Sequence, residues 1–387
     1  MEKSKSEQSR RLISRPLEIL LRVFGIWPGI LYGVIYKVFW LVVMITSTTL
    51  QYTFLVLHAR SINFTIFLYS LAATLALSMK LIKLVIFWSN QRRFDEMWRV
   101  MSLNWEHNSA YVNTFGTTNK THVSHYLANF IVAFSTVSII LNSYSILLSG
   151  IHYDEASNGT RPYILMMYLP FHINTQPVYL LVMFLQFSYA LLLSAGAATL
   201  NSVLIILMLY LGDQINVICR RLMSMAEDEH TTNVTVIKEI IRKHQSVITF
   251  SENIESLYTY IALILIVLNT LITCGLGFIL VSAIGSPNFS MILMKNLMFY
   301  CAINIETFVF CFAGEYISAK SKEIGEAAYN SPWYQSKFHS GAVLFLIMRS
   351  QHQLTITMGK FMDLSLERFS SIVKASASYV SVLLAMY

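Results

Sequence analysis

The chain has 387 residues, of which 55% are hydrophobic and 13% charged, with a formal net charge of +7. So little polar residue cannot cover a soluble globule of this size, which excludes a soluble enzyme or binding module and defines a polytopic membrane protein. The basic residues are spread thinly and form no stripe interleaved with aromatics, so the charge does not point to a nucleic-acid partner.

The N-terminal "MEKSKSEQSRRLISRPLEILLR" is basic and interrupted by Pro16. It is therefore not read as a cleavable signal peptide, and the first long apolar run is expected to act as a permanent signal anchor. A spanning helix needs about 20 largely apolar residues. Seven segments meet that requirement: Val38 to Leu57, Ile62 to Trp88, Leu127 to Ser149, Val178 to Leu211, Tyr258 to Ala283, Met291 to Ala313, and Phe369 to Tyr387. "GAVLFLIM" from Gly341 is too short to cross and is expected to pack as a helix beside the last span.

Several helices are expected to outrun the bilayer. Span four continues into the polar "GDQINVICRRLMSMAEDE". After span two, Phe94, Met97, Trp98 and Met101 share one helical face, which reads as an amphipathic continuation. Before span five, Val236, Ile240, Val247, Phe250 and Ile254 recur with helical spacing. Together these predict a cytoplasmic layer of packed helical extensions where subunits could meet.

Lysine and arginine set the orientation. One side holds the N-terminal cluster, Arg92, Arg93 and Arg99, then Arg220, Arg221, Lys238, Arg242 and Lys243, then Lys320, Lys322 and Lys337. The opposite loops contain Arg60, Arg161 and Lys295. The N-terminus is accordingly expected inside the cell and, with seven spans, the C-terminus outside. Glycosylation sequons fall on both sides, at Asn63, Asn158 and Asn288 and at Asn119 and Asn233; Asn158, in the long loop "GIHYDEASNGTRP", is the expected site of modification.

No catalytic constellation is present. There is no HExxH pair, phosphate-binding loop, GxGxxG, CxxC or GxSxG. His122 and His125 read as solvated residues of a polar loop rather than a metal site. Cys274, Cys301 and Cys311 lie in apolar runs and Cys219 in a basic segment, so no disulfide framework is implied. Glu306 is the acid that stands deep in a predicted span, and one carboxylate makes an incomplete active site. Neither a catalytic residue, a metal nor a cofactor is expected.

Polar residues within the spans are mostly uncharged. In span three Ser135, Ser138, Ile139 and Asn142 follow i, i+3, i+4, i+7 and form one modestly polar face. Span two offers Tyr69, Ala72, Ala73 and Ala76, span four Phe184, Phe187 and Ser188, and span six Met294, Leu297 and Met298. Small and hydroxyl residues commonly mediate helix packing; they equally suit a pocket walled by aromatics and methionines for a small apolar ligand. Both readings stand on the sequence alone.

The last segment, "FSSIVKASASYVSVLLAMY", is unlike a lipid anchor. Ala375, Ser378, Val382 and Met386 fall near one helical line, with Ser371 just below. A hydrophobic constriction beside small hydroxyls suits a water-filled pore, and several subunits would have to contribute the same helix around an axis.

The preceding stretch resembles the C-terminal signature of the insect odorant receptors. The matching features are Gly314 and Glu315, Ser318, "AAYNSPW" ending at Trp333, Arg349 and Gln351, Gly359 and Phe361, Leu364, Phe369, and the closing Ser378-Tyr379 with Leu383. "FGIWP" near the start and "KHQSVITFSENIESLY" before span five agree more loosely. Gustatory receptors end differently, and the shared odorant co-receptor has a large insertion between spans four and five that is short here, so the chain resembles a ligand-specific tuning subunit.

The resemblance implies an all-α, seven-span subunit of a non-selective cation channel, a heterotetramer with the odorant co-receptor in the plasma membrane of olfactory sensory neurons. It implies a small volatile ligand bound in the outer half of spans two, three, four and six, assembly through the extramembrane extensions, and a pore lined by the last helix, with Ser378 on its face and the constriction at Val382 and Met386. The chain then divides functionally into residues 38–211, which hold the ligand bundle, 212–368, which hold the anchor helices, and 369–387, the pore helix. The rival is a seven-span metabotropic receptor of the G-protein-coupled type. Against it stand the inside N-terminus, no arginine motif at the inner end of span three, no NPxxY in span seven, and no outer-loop cysteine pair.

Overall fold

In hydrocarbon a backbone can satisfy its N–H and C=O groups only in helices or closed barrels, and this chain uses helices. The computed structural model describes residues 13–29, 33–60, 63–115, 118–151, 163–169, 175–224, 233–285, 289–335 and 337–386; Asn158 and Asn288 lie outside them. Among the described residues the helices are α1 (Arg15–Val23), α2 (Gly33–His58), α3 (Phe64–Ser89), α4 (Gln91–Phe115), α5 (Thr118–Ile151), α6 (Gln176–Ser224), α7 (Asn233–Ser282), α8 (Phe289–Asn330), α9 (Lys337–Ser350) and α10 (Leu366–Met386). Between α9 and α10, Thr357–Met358 pairs antiparallel with Met362–Asp363.

Six of these helices, α2, α3 and α5 to α8, are long and apolar enough to cross a membrane. The seventh, α10, is 21 residues long and spans by length, but its serines and lysine make it less apolar. Hydroxyls inside the spans bond back onto their own helix: Thr46, Thr48, Thr49 and Thr53 each donate to the carbonyl four residues earlier in α2 at 2.7–2.8 Å. That satisfies them without a neighbour, and α2 presents apolar side chains such as Val42 and Val56 outward.

The extensions run on as the sequence suggests. Helix α6 has 49 residues, about 74 Å at 1.5 Å per residue, and α7 and α8 have 50 and 42. Phe94, Met97, Trp98 and Met101 are all buried, as are Ile240, Val247, Phe250 and Ile254. Helix α6 is the central post: it is buried along nearly all of its apolar run and packs against α1, α3, α5, α7 and α8.

Three details depart from the sequence reading. Pro16 does not interrupt the N-terminal segment but starts α1, where its missing N–H costs nothing. His122 and His125 lie on α5 rather than in a loop, because the helix begins nine residues before the apolar run. Helix α9 packs chiefly on α8 and then α7, not beside the last helix, since α8 continues to Asn330 and offers it a face.

"FGIWP" proves to be a junction. The carbonyl of Val23 accepts from Trp40 Nε1 at 3.0 Å, that of Phe24 from Trp88 Nε1 at 3.1 Å, and that of Ile26 from Gln91 Nε2 at 3.4 Å. Phe24 packs tilted against Trp40 at 4.7 Å and Trp27 against Trp98 at 5.3 Å. The segment thus ties α1 to α2, α3 and α4.

The C-terminal signature residues seat α10. A Cβ at Gly314 would lie 2.4 Å from the Leu364 carbonyl oxygen, so only glycine lets the chain before α10 pass so close to α8. Glu315 accepts from the Leu366 N–H at 3.4 Å and Ser365 Oγ from the Arg368 N–H at 3.2 Å, meeting two orphan donors at the helix start. The hairpin turns at Gly359 and Lys360, both with positive φ, and is pinned to α7 by Thr357 Oγ1 donating to Glu255 at 2.7 Å and the Gly359 N–H to the Thr259 carbonyl at 3.1 Å. Gly314→Ala should therefore lower stability by about 1–3 kcal/mol through overpacking against backbone. Gly275→Ala, where a Cβ meets nothing within 4 Å, should leave the melting temperature of the purified protein unchanged or slightly raised.

Candidate functional site

Helices α3, α5, α6 and α8 converge in the half of the bundle nearest the α5–α6 connection, and their predicted residues meet there in pairs. Tyr69 of α3 donates its hydroxyl to Asn142 Oδ1 of α5 at 3.1 Å. Ser138 Oγ donates to the Met298 carbonyl of α8 at 3.3 Å, and Ser194 Oγ of α6 to the Ser135 carbonyl at 3.4 Å. Ser138 is buried, whereas Ile139, Phe187 and Ser188 are half-buried. Ala72 and Ala76 pack with Ile272, Leu276 and Ile279 of α7 and Ile303 of α8, while Ala73 stays half-buried.

Phe184, Met294 and Leu297 do not join this group. They point outward from the single chain, Phe184 at 65% and Met294 at 64% exposure.

Three buried polar atoms beside these residues lack a hydrogen-bond partner: Ser70 Oγ on α3, Ser143 Oγ on α5 and Asn296 Oδ1 on α8. Each neighbours a residue that periodicity singles out, yet periodicity alone does not reveal that they are buried and unmatched. Such an atom costs about 1–3 kcal/mol unless something meets it, so they are natural hydrogen-bonding points for an enclosed molecule. Residues 163–169 strap the same end of the bundle: Gln186 of α6 receives the Leu165 N–H at 3.2 Å and donates to its carbonyl at 3.1 Å, and the Tyr168 N–H donates to the Leu50 carbonyl of α2 at 3.0 Å.

Deeper lies a polar cluster that the sequence reading half missed, naming Glu306 but not its partners. Lys83 of α3 is ion-paired with Glu306 of α8, and both contact Asn201 of α6, Lys83 Nζ donating to Asn201 Oδ1 at 2.7 Å and Asn201 Nδ2 to Glu306 Oε1 at 3.2 Å. Lys83 is 2% exposed and sits 5.1 Å from the Phe310 ring centroid. Phe310 in turn packs on Tyr258 and Tyr258 on Phe87. Opposite charges standing in two predicted spans, the lysine in span two and the acid in span six, were the available signal. The described residues hold no cluster of metal-ligating side chains.

Helix α10 lies against α7 and α8. Its inner face is Phe369, Ile372, Val373, Ser376, Val380 and Leu383; Val380 packs where a Gly277 Cβ would stand, and Cys274 Sγ donates to the Ser376 carbonyl at 3.8 Å. Ser371, Ala375, Ser378 and Val382 are all exposed along the other face. Met386 ends the helix, and its side chain lies outside the described residues. Lys374 is exposed too, about 60° around the helix from Ser371 at 100° per residue, at the edge of that stripe rather than on it.

A bundle of long apolar helices about a buried ion pair, with extramembrane extensions, is a polytopic membrane fold. The family model described as 7tm Odorant receptor matches residues 63–377, and the chain belongs to the insect odorant receptor family. It is similar to Odorant receptor 13a of Drosophila melanogaster, 22% identical over 330 residues that cover 80% of this chain and 77% of that one. Odorant receptor 10 of Aedes albopictus is 29% identical over 163 residues, 42% of each chain. The solved insect olfactory receptor OR5 from Machilis hrabei, in complex with eugenol, superposes with a TM-score of 0.78 at 15% identity, covering 96% of this chain and 97% of that one. The relatives are odorant receptors and not enzymes, and nothing in these likenesses supports a G-protein-coupled type.

The buried triad generates a stability prediction. Lys83→Met removes the direct ion-pair partner of the buried Glu306 and should cost about 3 kcal/mol, most of which the double variant Lys83→Met/Glu306→Met should recover. Thermal unfolding of the purified receptor in a double-mutant cycle measures this; simple additivity of the two single losses would show that the pair is not coupled.

Proposed function

We propose that the chain is the ligand-specific subunit of an odorant-gated, non-selective cation channel, assembled as a heterotetramer with the odorant co-receptor. Its place is the plasma membrane of olfactory sensory neurons, with the N-terminus inside and the C-terminus and Asn158 outside. The observation that carries the reading is the outward face of α10. A last span that buries its apolar side on α7 and α8, and leaves Ser371, Ala375, Ser378 and Val382 uncovered, is arranged backwards for a lipid anchor. Hydroxyls on the uncovered face suit water, and Val382, joined by Met386, would narrow the pore.

The ligand would occupy the region between α3, α5, α6 and α8, among Tyr69, Ala72, Ala73, Ser135, Ser138, Ile139, Asn142, Phe187, Ser188 and Met298, with Phe184, Met294 and Leu297 reached by rotation or facing a neighbour. The eugenol complex of OR5, a chain of the same fold, supports a small organic ligand. Burial would supply most of the affinity at about 25 cal/mol per Å², and Ser70, Ser143 or Asn296 could meet one polar atom of the odorant. Occupancy would favour one packing of the outer bundle and shift α10 toward the open state by differential affinity.

The test is whole-cell current during an odorant panel, in cells without G-protein signalling routes, with this chain alone and then with the co-receptor. Rapid ligand-evoked cation current in the pair and none from the chain alone is expected. Tyr69→Phe, which loses the bond to Asn142, should shift half-maximal concentrations by about threefold to tenfold with little change in maximal current. Val382→Glu should alter conductance or gating with ligand preference kept; a channel indifferent to it would remove α10 from the pore.

A further inference from the structure

In residues 46–53 of α2, every polar side chain but two has a bond. Thr46, Thr48, Thr49 and Thr53 donate to their own helix, and the Tyr52 hydroxyl pairs with Ser78 Oγ of α3 at 3.1 Å. Ser47 and Gln51 are the exceptions: Ser47 Oγ and both amide atoms of Gln51 are buried with no hydrogen-bond partner. Gln51 is 1% exposed, and a carboxamide with neither bond inside a membrane span is costly.

Ser47 and Gln51 stand one turn apart and so share a face of α2. That face meets α6 at Tyr189, whose hydroxyl lies beside Ser47 yet is itself buried without a partner. The strap at residues 163–169 is tied to the same two helices, at Leu50 next to Gln51 and at Gln186 one turn from Tyr189. Helix α2 contributes none of the ligand-region residues named above, so this is a separate place in the bundle.

Four buried polar atoms therefore gather between α2 and α6 with nothing from the protein to meet them. All are neutral, so no ion is called for. The set holds an amide donor, a carbonyl acceptor and two hydroxyls that do both, which a molecule able only to accept would meet in part. Water both donates and accepts, and buried water is held by bonds to such otherwise unmet groups. Polar groups set close together without a direct bond are where a bridging water belongs. We propose that Ser47, Gln51 and Tyr189 form a buried water site that joins α2 to α6 beside the strap. Water there accepts from Gln51 Nε2 and donates to Gln51 Oε1 or to the Ser47 and Tyr189 hydroxyl oxygens.

The purified full-length protein in detergent is exposed to millisecond X-ray pulses, which make hydroxyl radicals from water where it stands, and tyrosine oxidation is read by peptide mass spectrometry. Tyr189 should oxidise rapidly. Tyr258, fully buried and bonded to the Leu200 carbonyl, should stay unmodified, and Tyr334, 72% exposed, marks the rate in open solvent. Gln51→Leu, which removes both amide atoms at similar volume, should abolish the rapid oxidation of Tyr189 and leave Tyr334 unchanged. Ser47→Ala, a smaller change that serves if the first variant does not fold, should slow it. Tyr189 as inert as Tyr258, or oxidised at the same rate in the variants as in the parent protein, overturns the site. The measurement involves neither odorant nor current, so it stands or falls apart from the channel reading.

Discussion

The ion pair of Lys83 with Glu306, held by Asn201, is the constraint around which the bundle is arranged. A charge in hydrocarbon has no water to turn to, and each of these groups alone would carry a penalty of several kcal/mol. Because the lysine stands on α3, the amide on α6 and the carboxylate on α8, meeting that demand fixes the rotation of three helices about their own axes. Lys80, one turn earlier on α3, lies within electrostatic reach of the same carboxylate. The edge-to-face rings of Phe87, Tyr258 and Phe310 close the other side of the cluster and bring α7 in, with Tyr258 donating to the Leu200 carbonyl beside Asn201 at 3.2 Å.

From that fixed point the molecule divides by what surrounds each part. Toward one end the polar side chains are few, neutral and imperfectly matched. Toward the other the helices outlive the bilayer and become ordinary amphipathic elements, with an apolar seam inside and lysine and arginine outside. Helix α10 belongs to neither part: its start is seated on α8 by Gly314 and Glu315, its length is laid on α7, and one face is left without a partner in the single chain. Any rearrangement among α3, α6 and α8 reaches α10 through α7 and α8, the two helices it rests on.

Much of this was legible beforehand because the bilayer is an exacting solvent. Span positions, the continuity of α6 through "GDQINVICRRLMS", and the buried faces of α4 and early α7 follow from hydropathy and helical period alone. What was not legible had specific causes. Pro16 looks like a breaker in sequence and is a starter in structure, because a proline is harmless only in the first turn and the sequence does not say where the turn begins. Phe184, Met294 and Leu297 share composition with Phe187 and Met298 but are exposed in the single chain, since a helix that is apolar all round has no inward face to read. Ser70, Ser143 and Asn296 stand beside residues that periodicity selects, and only burial without a partner distinguishes them.

By itself the sequence determined that the chain crosses a membrane several times, which segments do so, and, through the residues around Gly314, Gly359 and Ser378, which family they resemble; these rest on local periodicity and motif spacing. Tertiary structure alone decided that Lys83 meets Glu306, that Tyr69 meets Asn142, that α9 settles on α8, and that Ser47 lies beside Tyr189 without a bond. Those facts depend on helix rotation and crossing, which arise from packing between residues as far apart as 83 and 306 and leave no mark on either segment's own pattern.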